Sequence, residues 1–88
     1  MWKSPATAKR TEVDFLLRRG NDYIAIEVKD IKRIRGVHFG GLKAIGELEG
    51  LARRILVYSG ERKLVTEDGV EVYPAGDFLE IIESDRLW

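Results

Sequence analysis

Eighty-eight residues, 44% of them hydrophobic and 34% charged, make one small globular domain, too short for two and too apolar for disorder. Fifteen basic side chains against fifteen acidic leave a formal net charge of zero, which excludes a basic field over the whole molecule; nucleic-acid binding would need a local patch. The lack of cysteine excludes a disulfide framework and a thiolate zinc site. No apolar run approaches the roughly 20 residues of a membrane span, and the polar stretch 1–10 has no signal-peptide core, so a cytoplasmic protein is expected.

In chain order, Trp2-Lys3 is a marginal strand. Residues 11–19 (TEVDFLLRR) alternate as a strand, with Val13, Phe15 and Leu17 against Glu12 and Asp14. Gly20-Asn21 is a two-residue hairpin signal with Gly first. Residues 22–29 (DYIAIEVK) form the second strand. A basic connection, 32–35, leads to a helix expected over 36–52, with Leu42, Ile45 and Leu48 at helical spacing; its glycines at 40, 41, 46 and 50 each cost about 1 kcal/mol relative to Ala. Residues 54–58 (RILVY) predict a buried strand, reached by a parallel crossover. Two further strands, 63–66 and 70–73, flank the turn Glu67-Asp68-Gly69. Pro74 suits a first helical turn, and Phe78, Leu79, Ile81 and Ile82 give a terminal helix one apolar stripe.

The first hairpin fixes a register. With Gly20 and Asn21 as the loop, Arg19 faces Asp22, so Asp14 lies opposite Glu27 and Glu12 opposite Lys29. Period-two alternation places Glu12, Asp14, Glu27 and Lys29 on one face and sends Val13, Phe15, Ile26 and Val28 to the core. Opposed carboxylates are destabilising unless compensated, and a hard cation such as Mg²⁺ compensates them well. A lysine beside such a site can orient an attacking water or stabilise a phosphate. The ordinary alternative is a solvated sheet face on which Glu12 and Lys29 are a plain cross-strand pair.

An Asp late in one strand, a hairpin, then Ile26-Glu27-Val28-Lys29 resembles the PD-(D/E)XK nuclease signature, with valine in place of its proline. Together with Trp2-Lys3, Glu12-Val13-Asp14-Phe15 and Arg54-Ile-Leu-Val-Tyr58, it is most similar to the domain found C-terminal to the ATPase module of many predicted archaeal and bacterial AAA-type ATPases. The similarity extends through the Glu67-Asp68-Gly69 turn and residues 74–82. The resemblance implies a single restriction-endonuclease-like domain over 1–88: a mixed α/β sheet with a crossover helix and a C-terminal helix, without the family's usual first core helix. It implies Asp14, Glu27 and the Val28 carbonyl as ligands of Mg²⁺ or Mn²⁺, Lys29 as catalytic lysine, and DNA as substrate. No ATPase phosphate-loop motif is present.

Lys32, Arg33 and Arg35 cluster next to that site and are candidates for phosphate contact, as is Lys43; a surface role is the alternative for each. His38 is expected to face solvent or stand at the helix entry rather than bind metal. Trp2 and Trp88 are expected in packing or an interface, and Tyr58 with its hydroxyl at the sheet edge. An apolar flank left by the missing helix implies a homodimer or a docked partner domain. Two functions follow as expectations: metal-dependent phosphodiester hydrolysis of DNA, or a non-catalytic module of the same fold that binds nucleic acid or an ATPase partner.

Overall fold

The computed structural model describes residues 13–88; Glu12 and the expected Trp2-Lys3 strand lie outside the described residues. Within them a five-stranded mixed sheet is covered on both faces. Strand β1 (Phe15–Arg19) turns at Gly20-Asn21 into β2 (Asp22–Lys29). The left-handed φ of 63° at Gly20 is the conformation that the first position of this turn requires. The antiparallel register runs from Arg19 opposite Asp22 to Phe15 opposite Ile26, as the loop length dictates.

After β2 the chain forms a 3₁₀ turn, Gly36–Phe39, then helix α1 (Gly40–Ala44), and returns to β3 (Leu51–Tyr58) parallel to β2. The helix expected over 36–52 is thus cut to five residues, and β3 starts three residues earlier than the apolar run suggested. Backbone requirements prevail over the helical spacing here. Gly50 has φ +89°, and a Cβ on it would lie 2.3 Å from the Asn21 carbonyl oxygen. Its own carbonyl accepts the Tyr23 N–H at 2.8 Å. The segment therefore docks on the β1–β2 turn as a turn of its own, which ends at Gly50. Leu42 and Ile45 still enter the core as the spacing predicted.

Strand β4 (Leu64–Val65) and β5 (Glu71–Pro74) flank the Glu67-Asp68-Gly69 turn as expected, and β5 lies parallel to β3. The sheet order is β1-β2-β3-β5-β4. Pro74 ends β5 and stands one position before helix α2 (Ala75–Glu83) rather than inside its first turn.

Two apolar layers hold the sheet. On one face Leu16, Ala25, Leu56, Tyr58 and Val72 pack against Phe39, Leu42 and Ile45 from the 3₁₀ turn, α1 and the turn that follows it. On the other face Ile24, Ile26, Ile55 and Val57 pack with Phe78 of α2 and with Leu87. Of the expected stripe on α2, Ile81 is buried and Phe78 half-buried, whereas Leu79 and Ile82 are exposed. Among the described residues, no helix is long and apolar enough to cross a membrane.

Candidate functional site

Glu27 sits on the face of β2 that also carries Ala25, and α1 with its preceding turn roofs that face. Its side chain is consequently buried, with 6% of the residue exposed. Burial sets Glu27 apart from the ordinary alternative of a solvated sheet face, whereas Asp14 is exposed. The expected core partners Phe15 and Val28 are the exposed ones, at 53% and 49%. The cause is that α2 covers chiefly β5 and β3 on its side of the sheet, whereas Val13 packs on the α1 side with Leu16. Val13 parts from Phe15 because the chain bends at Asp14.

Glu27 Oε2 lies 3.1 Å from Lys29 Nζ, on the same face two residues along β2. Glu27 Oε1 is buried without a hydrogen-bond partner among the described residues. Leaving an anionic oxygen buried and unpartnered is costly, so this atom calls for a partner. Asp14 stands one residue before β1, where the hairpin register, extended, sets it against Glu27. It is exposed, and its Oδ2 accepts the Val28 N–H at 2.8 Å. Asp14, Glu27, Val28 and Lys29 are thereby gathered at the end of the β1–β2 hairpin. Among the described residues no group of three or more His, Asp or Glu side chains comes together, so the described acidic set here is two carboxylates.

This end of β2 is anchored beyond the site. Ser59, after β3, gives its N–H to the Ile31 carbonyl at 2.8 Å and its hydroxyl to Asp30 at 2.8 Å. From there Lys32, Arg33 and Arg35 project into solvent along a shallow open depression with Ile31, Ile34 and His38. His38 stands in the 3₁₀ turn at the helix entry, and its Nδ1 accepts the Arg35 N–H at 3.0 Å, a cap that the sequence reading did not include. Lys43 departs from the group. Its charge acts on Asp68 in the β4–β5 turn, at the start of the parallel strands rather than their ends. The hydroxyl hydrogen bond from Thr66 is the main reason that the Asp68 carboxyl lies below its ordinary range; Arg54 and Lys43 add to it.

Three residues escaped the sequence reading or took another place. Arg53 of β3 forms a bidentate pair with Glu71 of β5, at 2.6 and 3.0 Å, and donates to the Arg86 and Leu87 carbonyls. Its hydrogen bonds hold the Glu71 carboxyl below its ordinary range against the opposing effect of burial. Arg54 reaches the other face and donates to the Leu42 and Asp68 carbonyls. An arginine pair at the mouth of an apolar run was the available signal, but its partners lie 12 to 34 residues away. Tyr58 is buried rather than at an open edge. Its hydroxyl donates to the Arg62 carbonyl at 2.7 Å and accepts the Arg62 N–H at 3.1 Å, closing the loop between β3 and β4.

A mixed sheet whose hairpin end carries two carboxylates and a lysine defines an α/β protein with a charged site at one edge. The chain belongs to the family described as "Domain of unknown function (DUF4143)", whose model matches residues 1–78. Comparison with curated proteins and with solved structures gave no match.

Proposed function

We propose that this domain is a minimal PD-(D/E)XK-type nuclease that hydrolyses DNA phosphodiesters in the cytoplasm with Mg²⁺ or Mn²⁺. The observation that carries the reading is the buried, unpartnered Oε1 of Glu27 beside Lys29 and Asp14. A hard divalent cation is the partner that such an oxygen lacks, and the donor set is all oxygen, as Mg²⁺ and Mn²⁺ prefer. Glu27, Asp14 and the Val28 carbonyl would hold it. Bound there, the cation would supply Lewis-acid activation of a phosphate and a lowered pKa for water.

The chain's own residues do the rest. The Lys29 ammonium, fixed by Glu27, orients the attacking water and meets the negative charge that develops on the phosphate. Asp14 keeps its second oxygen, Oδ1, free of the Val28 N–H. Lys32, Arg33 and Arg35 bind the DNA backbone on the strand-end side, as local positive charge on a neutral molecule must. Lys43 stands apart from this group and has a smaller part in the reading.

Calorimetric titration of Mn²⁺ and Mg²⁺ into the parent and into Glu27→Gln, paired with cleavage of plasmid and linear DNA, tests the proposal. Binding that Glu27→Gln abolishes, with cleavage that Lys29→Met abolishes while binding persists, supports it. A second reading, a non-catalytic module that docks nucleic acid or an ATPase partner, draws on a specific feature. Each carboxylate already has one oxygen engaged, by Val28 N–H and by Lys29. Absence of cation binding in the parent would turn the choice to that module.

A further inference from the structure

Strand β1 is an outer strand of the sheet, five residues long and free of proline, and among the described residues nothing pairs with its outer side. The other edge, β4, has only two residues. An unpaired edge of this length is a template for another strand unless it is blunted. The hairpin determines which groups it offers. Arg19 and Asp22 close the two-residue turn, so the backbone groups of Arg19, Leu17 and Phe15 point to β2. Those of Arg18, Leu16 and Asp14 therefore point away from the sheet.

We infer that this edge pairs with the same edge of a second copy, antiparallel about a two-fold axis at Leu16. In that register Leu16 meets Leu16 of the partner subunit, Asp14 meets Arg18 of the partner subunit, and Phe15 meets Leu17 of the partner subunit. Three independent features select it. The outward-pointing backbone groups of residues 14, 16 and 18 face one another, which an antiparallel ladder requires. Asp14, one residue before β1, and Arg18, near the end of β1, are opposite in charge, and self-pairing at this register sets each residue beside its complement. Phe15, 53% exposed, gains an apolar cross-strand neighbour on the α2 face. A slip of two residues towards the turn would set Leu16 against Arg18 and Phe15 against Arg19, which loses the match of Asp14 with Arg18 and keeps only Leu17 against Leu17 as an apolar pair. The Arg18 side chain is exposed and bonded only to the Gly20 carbonyl two residues on, so it is free to turn to the partner. The product is one ten-stranded sheet with an isologous interface. It places an arginine of one copy opposite the Asp14 position of the other, and it stands whether or not the domain cleaves DNA.

Sedimentation velocity from about 1 to about 200 μM on three proteins tests the interface. The parent should form a dimer. Asp14→Arg and Arg18→Glu, each of which opposes like charges twice across the two-fold axis, should weaken it by roughly tenfold to a hundredfold. Mixing the two variants should restore a heterodimer, because each position then faces its opposite charge. Amide exchange supplies a readout that needs no substitution: Leu16 and Arg18 N–H should become protected as concentration rises. A parent that stays monomeric over this range overturns the inference, even if those amides are protected, since the edge is then taken by something other than a second copy. A dimer indifferent to both substitutions overturns it equally.

Discussion

Asp14 replaces a rung of the β1–β2 ladder with its side chain: Oδ2 accepts the Val28 N–H that the hairpin register would otherwise direct to the Val13 carbonyl. The bend this allows sends Val13 under α1 with Leu16 and aims the site end of the hairpin. One carboxylate thus shapes the backbone and stands at the candidate metal site.

The two roles of Asp14 separate by substitution. Asp14→Asn keeps an acceptor for Val28, so its stability should match the parent, whereas Asp14→Ala should lose about 1 kcal/mol. Both should impair cation binding if Asp14 is a ligand. Urea unfolding and exchange of the Val28 amide measure the first effect, calorimetry the second. Equal stability of the Ala and Asn variants would refute the capping role.

Cation binding at Glu27 should also appear as folding stability. At a concentration 100 times its Kd, a cation that binds only the native state adds about 2.7 kcal/mol, a rise of roughly 10 °C or more for a domain of this size. Thermal unfolding with and without Mn²⁺ should show this rise in the parent and none in Glu27→Gln. An equal rise in both would place the cation elsewhere.

Gly50 should tolerate no side chain. A Cβ would meet the Asn21 carbonyl oxygen at 2.3 Å, and the φ of +89° is unfavourable for any L residue. Gly50→Ala should destabilise by about 3 kcal/mol in urea unfolding. Gly40→Ala, where a Cβ meets nothing within 4 Å, should be neutral or slightly stabilising.

Acid should loosen the β3–β5 pairing through Glu71. Its carboxyl is held below the ordinary value of 4.5 chiefly by the Arg53 hydrogen bonds. The folded pKa is the lower one, so the contribution is complete above about 4.5 and is lost as pH falls through the folded value. Tm should therefore drop on acidification below that point, with a shallower slope in Glu71→Gln. Alkali has the opposite sign at Tyr73. Burial, then its hydrogen bond to Glu71, raises the phenol above 10.0, so that contribution is lost as pH climbs through the raised value.

How much of this was legible in the sequence depended on the range of the cause. The β1–β2 register followed from a two-residue loop, and the Thr66–Val70 turn from Glu67-Asp68-Gly69, because each is settled by a few consecutive residues. Helix α1 was overextended because Leu48 kept the helical spacing, whereas the chain leaves the helix after Ala44 and Gly50 seats it against Asn21. Which face of β2 is more deeply covered at its end was not legible. Ile24, Ile26 and Val28 look like the core side, and only the positions of α1 and α2 reveal that Glu27 is enclosed while Val28 is exposed. The Arg53 and Arg54 contacts were hidden for a similar reason: Glu71 meets Arg53 only once β5 lies beside β3, and the carbonyl acceptors leave no mark in side-chain pattern.

The clamp of Arg53 on the Arg86 and Leu87 carbonyls, with the Arg19 guanidinium over the Trp88 ring at 5.8 Å, has a practical corollary. It delivers residue 88 to the β1–β2 turn, at the opposite end of β2 from Glu27. Five strand residues separate Asp22 from Glu27, roughly 17 Å at the usual rise. A fluorophore, tether or fused protein attached after Trp88 would leave the molecule on the side remote from the carboxylates. Surface-immobilised protein oriented this way would present the charged end to solution, open to cations and to DNA alike.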